Sequence, residues 1–173
     1  MPSSAFTIKS NGGLLRVLIS EVNIHVADRP EAVKVNAIWD TGASGSAISK
    51  TTVQKLGLIP SGMANVNTAN GPAIQNTYSI DIGLPNGVLI KGIVATEIDA
   101  LTGGCEALIG MDVINLGDLS ITNHKGVTCM SFRTPSSHEI DYVANPNYGV
   151  TPIINSPPII RRSNFTPPKK KRR

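Results

Sequence analysis

Through the first 133 residues, short apolar runs alternate with clusters of Gly, Pro, Asn and Asp, and each cluster reads as a turn between strands. Asn11-Gly12 lies between apolar segments 6–10 and 14–26 and predicts a hairpin. Asp28-Arg29-Pro30-Glu31 breaks the chain, and a strand resumes over 32–39. Ser49 or Thr51 is placed to cap a short helix running to Leu56; Thr51 has Gln54 three residues on, as in a capping box, and Gly57 suits the position just past the helix end. Segments 63–68 and 73–82 flank Asn70-Gly71, a second hairpin tip, and Pro85-Asn86-Gly87 makes a third, joining 73–82 to 88–97. Residues 99–104 read as a loop. Ala107-Leu108-Ile109 reads as a short buried strand closed by Gly110, with one or two helical turns over 111–116. A last hairpin joins 119–122 to 127–132 around 123–126. Strands this short and this evenly punctuated predict a mainly β chain folded as a closed or sandwiched sheet, with one or two short helices.

Composition agrees. Of the 173 residues 40% are hydrophobic but only 4% aromatic, so a core must be built of Val, Ile, Leu and Ala, and Val and Ile favour strands. Charge then divides the chain. The net +4 is uneven: residues 1–133 hold 9 basic and 10 acidic side chains, whereas 134–173 hold 7 and 2. Seven of the 12 prolines also lie after position 133. The expected organisation is therefore one domain over 1–133 and a Pro-rich, basic, extended tail over 134–173. The tail ends in Lys169, Lys170, Lys171, Arg172 and Arg173, which suit either a solvated basic end or weak, salt-sensitive contact with a polyanion. No aromatic residues interleave with these charges to stack on bases.

Two cysteines, Cys105 and Cys129, make neither a disulfide framework nor a zinc site and are expected as reduced thiols, with a single bridge between them left open. The first ten residues lack the pattern of a signal peptide, and no apolar run approaches the roughly 20 residues that span a bilayer. The expectation is an intracellular, cytoplasmic protein, or a nuclear one if the source is eukaryotic.

The candidate chemistry lies at Asn36-Ala37-Ile38-Trp39-Asp40-Thr41-Gly42-Ala43-Ser44-Gly45-Ser46. An apolar run stops at one acid, and the next positions carry the smallest side chains available. Thr41 supplies a hydroxyl and a backbone N–H, Gly42 permits close approach, and Ala43 and Ser44 keep the space open. Two readings compete: a tight turn capped by Asp40, or a carboxylate that a substrate approaches. The site is a poor metal centre, because no neighbour supplies further ligands. It is no nucleophile elbow either, since Ser46 stands where G-x-S-x-G needs its last glycine.

Ala37 to Ser44 resembles the catalytic loop of aspartic proteases, two apolar residues followed by Asp-Thr-Gly-Ala/Ser. Seventy residues on, Ala107-Leu108-Ile109-Gly110-Met111-Asp112 resembles the segment before the C-terminal helix of the retroviral-type members. Between them, Thr68-Ala69-Asn70-Gly71-Pro72 stands where that family carries its flap, and 49–58 reads like the segment joining loop to flap. Over roughly residues 6–133 the chain is similar to a retropepsin-like aspartic protease of single-domain type.

The resemblance implies a closed, barrel-like acid-protease fold, no cofactor, and hydrolysis of peptide bonds. Asp40 would be catalytic, with Thr41, Gly42, Ala43 and Ser44 supporting its loop. Asn70, Gly71 and Pro72 would form the substrate-binding flap, and Ile109 and Gly110 would brace the site. Such proteolysis uses a water between two carboxylates that share one proton. The chain has a single Asp-Thr-Gly, so the resemblance implies a homodimer in which two Asp40 side chains meet. Met111 stands where retroviral members often carry Arg, and Asp112 is read as a capping or pairing acid of the short helix. The alternative is a catalytically silent retropepsin-fold module that binds peptides or dimerises.

Overall fold

The computed structural model describes residues 4–68, 71–99 and 101–144. It divides into two compact units, Met1–His138 and Glu139–Arg173. The described part of the second unit is a turn in which the Asp141 carboxylate accepts the N–H groups of Val143 (2.7 Å) and Ala144 (3.0 Å). Asn70 and the basic cluster Lys169, Lys170, Lys171, Arg172 and Arg173 lie outside the described residues.

In chain order the first unit contains β1 (Ala5–Lys9), β2 (Ile19–Val26), β3 (Ala32–Trp39), β4 (Ala47–Ser49), α1 (Lys50–Leu56), β5 (Gly62–Thr68), β6 (Gly71–Gly83), β7 (Leu89–Ile98), β8 (Ala107–Ile109), α2 (Met111–Ile114), β9 (Asp118–Thr122) and β10 (Cys129–Arg133). The mainly β expectation holds, with two short α-helices.

Seven strands form one sheet in the order β2-β3-β8-β4-β7-β6-β5, and β2 also pairs with β6. That second pairing, Asn23↔Gly83 to Val26↔Ile80, joins the ends of a six-strand ring, so the sheet closes on itself. Alternation explains its core: in β2 the buried residues are Ser20, Val22 and Ile24, and in β3 they are Val35, Ala37 and Trp39. With Ile80, Ile82, Ile93, Ala95 and Ile109 they fill the interior with aliphatic side chains, as the scarcity of aromatics requires. Where β6 shifts register between Ile80 and Ile82, the buried Asp81 accepts the Gly92 N–H at 2.8 Å. A bulge of this kind adds the bend that a closing sheet needs.

The second sheet has the order β1-β10-β9. It corrects one sequence expectation. Asn11-Gly12 does turn the chain, with Gly12 at φ +114°, but 6–10 and 14–26 are not paired as a hairpin. β1 instead runs antiparallel to β10, from Ala5↔Arg133 to Lys9↔Cys129, and residues 14–18 are not in a strand. Burial decides the partner. Phe6 of β1 packs on Phe132 and Trp39, a contact that pairing with the exposed Leu14, Leu15 and Val17 would not give.

The remaining turns follow the sequence. Ser49 caps α1 by accepting the Thr52 N–H at 3.1 Å, and Gly57 ends it in the left-handed conformation. Residues 84–88 close the β6–β7 hairpin, and 123–126 lie between β9 and β10. Cys105 is buried and Cys129 half-buried, and both are free thiols. Burial pushes the Cys105 thiol up from its ordinary value. No helix among the described residues is long and apolar enough to cross a membrane.

Candidate active site

Asp40 sits where β3 leaves the sheet. The chain makes a loop over 40–46 and returns as β4. Both sides of that loop pair with one strand, β8: β3 runs parallel to it (Ala37↔Ala107 to Trp39↔Ile109) and β4 antiparallel (Ala47↔Leu108, Ile48↔Ala107). A wedge of three buried or half-buried residues thus fixes the two ends of the loop at once.

The segment after β8 holds the loop itself. The Asp40 N–H donates to the Ile109 carbonyl (3.0 Å), the Met111 N–H to the Ala43 carbonyl (2.8 Å) and the Asp112 N–H to the Ser44 carbonyl (3.2 Å). In return the Asp112 carboxylate accepts both the Ser46 N–H (2.9 Å) and the Ser46 hydroxyl (2.7 Å), and the Ser46 oxygen accepts the Gly110 N–H (3.1 Å). Gly110 is needed for its lack of a side chain: a Cβ there would lie 2.5 Å from the Gly45 carbonyl carbon and oxygen. Two backbones therefore cross in direct contact beneath the loop.

Within the loop, one oxygen of the Asp40 carboxylate accepts the Gly42 N–H at 2.8 Å. Its other oxygen has no hydrogen-bond partner among the described residues, and the side chain is partly exposed. Thr41 and Ser44 are exposed and Ala43 is half-buried. The predicted residues Asp40, Thr41, Gly42, Ala43, Ser44, Ile109 and Gly110 are thus brought together. Gly71 and Pro72 begin β6, paired with Thr68 and Asn67 at the far end of the β5–β6 hairpin.

Beneath Asp40 lies the chain's largest side chain. Trp39 is 5% exposed, its indole N–H donates to the Ser20 hydroxyl at 2.9 Å, and its ring packs 5.0 Å from Phe132 and 5.8 Å from Phe6. Those centroid separations suit favourable aromatic pairing. Three of the chain's seven aromatic residues thus join the second sheet to the strand carrying the acid.

Ser46 was not legible as a site residue. The available signal was weak: a serine among small loop residues, and an acid two positions past Gly110. The structure gives Asp112 the pairing role expected of it. Met111, half-buried against the core, uses its backbone to hold the loop.

A space of about 630 Å³ opens beside the loop. Its walls come from 42–45, from 64–67 on β5, and from the ends of β4, β7 and β8. The space begins at Gly42, two residues after the partly exposed Asp40, and has the size of a ligand cleft.

The family described as "gag-polyprotein putative aspartyl protease" matches residues 23–116 of the chain. The chain is also similar to two solved structures. A retropepsin-like aspartic protease from Rickettsia conorii shares 22% identity, with 74% of this chain and 92% of that one covered and a TM-score of 0.44. The EIAV protease complexed with the inhibitor HBY-793 shares 17% identity, with 58% and 88% covered and a TM-score of 0.45. No curated protein matches.

Proposed function

The chain belongs to the gag-polyprotein aspartyl protease family, and from that premise we propose that it is an aspartic endopeptidase acting as a homodimer. The observation that carries the reading is the Asp40 carboxylate. One oxygen is anchored on the Gly42 N–H, the other is free among the described residues, and the loop beneath is fixed through β8 and Gly110. Positioned this firmly, an acid can hold a water at attacking distance.

The chemistry needs a second carboxylate, and the chain has one Asp-Thr-Gly. Asp40 of a second copy supplies it. Two carboxylates one water apart hold one proton between them, because two negative charges so close repel. The ionised member takes a proton from the water, and the protonated one donates a hydrogen bond to the scissile carbonyl. Thr41, exposed beside Asp40, is placed to meet the loop of the second copy. Support for a partner at this edge comes from Leu14, Leu15, Val17 and Ile19, all exposed apolar side chains. They flank Leu18, whose carbonyl accepts the Trp39 N–H one residue before the acid. Asn70, Gly71 and Pro72 are assigned to the flap over the substrate.

The test compares wild type with Asp40→Asn in a pooled-peptide digest read by mass spectrometry, at several pH values below neutral. Cuts by wild type and none by the variant, both sedimenting as folded dimers, are expected. Full activity of Asp40→Asn ends the reading. No cuts from either folded dimer favours a silent peptide-binding module. Mixing the two proteins tests the shared site: random exchange at equal amounts leaves about a quarter of dimers with two Asp40 residues, so activity per wild-type chain falls.

A further inference from the structure

We infer that Asn11-Gly12 is a site of spontaneous covalent modification, where Asn11 converts to aspartate and isoaspartate, while Asn86-Gly87, the same dipeptide in the β6–β7 turn, is shielded by its hydrogen bonds. The conversion loosens the loop that leads into the exposed edge at 14–19. Its effect on that edge rests on the homodimer reading; the conversion itself does not.

Asn followed by Gly is prone to this reaction, because glycine has no side chain to keep its main-chain nitrogen away from the Asn side chain. The Gly nitrogen gives up its proton and attacks the side-chain carbonyl carbon. A C–N bond forms, the bond to the side-chain nitrogen breaks, and that nitrogen leaves as ammonia with the proton. The product is a cyclic imide. Water opens it at either carbonyl, giving aspartate or isoaspartate, and no oxidant or reductant takes part. The step needs a main-chain nitrogen free to attack and a side chain free to approach it.

The two dipeptides meet these needs differently. Asn11 and Gly12 are exposed, and neither the Asn11 side chain nor the Gly12 N–H has a hydrogen-bond partner among the described residues. A Cβ on Gly12 would have nothing within 4 Å, so water reaches the site. In the β6–β7 turn the Gly87 N–H donates to the Leu84 carbonyl at 2.9 Å, and the Asn86 side-chain oxygen accepts the Val88 N–H at 3.4 Å. There the attacking nitrogen is occupied and the Asn side chain is turned to Val88. Gly12 and Gly87 both have positive φ, +114° and +82°, so hydrogen bonding and not backbone conformation separates the sites. Around the Asn11 tip the loop is tied on both sides. The Ser10 hydroxyl donates to the Gly13 carbonyl (2.6 Å), and the Ser10 N–H to the Thr128 carbonyl (2.9 Å). The Ser10 oxygen accepts the Thr128 N–H (3.0 Å), and the Thr128 hydroxyl oxygen accepts the Leu15 N–H (3.0 Å). Isoaspartate runs the main chain through the side-chain methylene, adding a further atom between Ser10 and Gly13, so this closure no longer fits. The new carboxylate is also the first negative side chain in the sequence, since no acid precedes Glu21.

The experiment ages the full chain and its Asn11→Gln variant at mildly alkaline pH, beside a sample of wild type in denaturant. Peptides prepared at mildly acid pH are read by mass spectrometry with electron-transfer fragmentation, which locates each conversion and tells isoaspartate from aspartate. In folded wild type Asn11 is expected to convert at least tenfold faster than Asn86, and to stay within tenfold of its own rate in denaturant, where the two rates come together. A smaller gap between the folded sites, or an Asn11 slowed by folding more than tenfold, overturns the inference. A tenfold gap that persists in denaturant has its cause in the sequence and overturns the shielding. Hydrogen exchange at Ser10, Leu15 and Thr128 is expected to speed severalfold in aged wild type and not in aged Asn11→Gln. Equal protection in the two overturns the loosening. Sedimentation reads the edge: the dimer of aged wild type is expected to dissociate at a severalfold higher concentration than the fresh one. A dimer unchanged by ageing overturns that last step. A fresh chain that sediments as a monomer overturns the homodimer reading, and the conversion rates alone then decide the site.

Discussion

The loop at 40–46 and the β5–β6 hairpin line the same cleft, yet the first is held on every side and the second along one edge. The loop is flanked by strands that both pair with β8, crossed by Gly110, and tied by Asp112 through Ser46. The hairpin has β5 as the last strand of its sheet. Ile59 before it is 85% exposed, Met63 75% and Ile74 70%. β6 changes character midway: residues 71–76 are exposed or half-buried, and from Thr77 it enters the core. Ser61 binds the Thr77 carbonyl with both its N–H (2.7 Å) and its hydroxyl (3.1 Å), so the hairpin is fastened where it leaves the body. The contrast suits the two tasks assigned to them. A reacting carboxylate needs a fixed position, whereas a covering hairpin has to admit a chain and let products leave.

The strongest way to break this contrast is Gly110→Ala. The new methyl group would meet the Gly45 backbone at 2.5 Å, and neither partner is the flexible end of a side chain. The loop must move. Overpacking of this kind costs about 1–3 kcal/mol, and displacement of Asp40 is expected to abolish cleavage. Thermal melting and peptide turnover check the two parts. Retention of both would show that the floor yields as readily as the hairpin.

Ser46→Ala comes next. It leaves the Gly110 N–H without its acceptor and removes one of the two bonds that Ser46 donates to Asp112. An unsatisfied buried donor costs about 1–3 kcal/mol. Turnover is expected to fall by roughly 10- to 100-fold as the loop loosens. The same double role explains why Ser46 was hard to read in the sequence. Turn residues, the Ser49 cap, the Ala107-Leu108-Ile109 strand and Asp40 itself are local signals, each carried by a few adjacent positions. Ser46 and Asp112 are 66 residues apart, and β1 finds β10 across more than 120 positions. Periodicity gives a strand's face but not its partner. It was the burial of Phe6 against Trp39 and Phe132 that chose β10 over the nearer segment at 14–18. The lining of the cleft was equally hidden, because it is gathered from five separated stretches.

A smaller effect is expected on the hairpin. Ile74→Thr keeps a β-branched residue at a position 70% exposed, so stability should stay within about 0.5 kcal/mol of wild type. Hydrogen exchange sharpens the point. The amides of 63–67 should exchange by local opening, well ahead of those of Asp40, Met111 and Asp112, which are bonded into the floor. Equal protection in both regions would remove the distinction between a fixed floor and a movable cover.

The smallest effect concerns the sheet under the floor, and it bears on work at acid pH. Asp118 at the start of β9 accepts hydrogen bonds from the Ser136 hydroxyl, the Ser137 N–H and the Arg133 guanidinium, and these hold its carboxyl well below the ordinary carboxylate range. Arg133 is paired with it across the β9–β10 ladder and follows Phe132, the ring that carries Trp39. A depressed folded value means that the stabilisation is complete above the unfolded value of 3.8 and is lost only as pH falls through the folded one. The ion pair therefore remains charged at the moderately acid pH that a shared-proton carboxylate pair favours. Asp118→Asn should lower the melting temperature by a small, constant amount down to about pH 4, the ordinary carboxylate range. Below that the two proteins should converge, because unfolded wild type takes up a proton at Asp118 that the folded state does not yet bind. A difference that widens on acidification would give Asp118 the opposite linkage. It would also mean that the pair braces Trp39 more strongly as pH falls, under the conditions in which Asp40 is proposed to work.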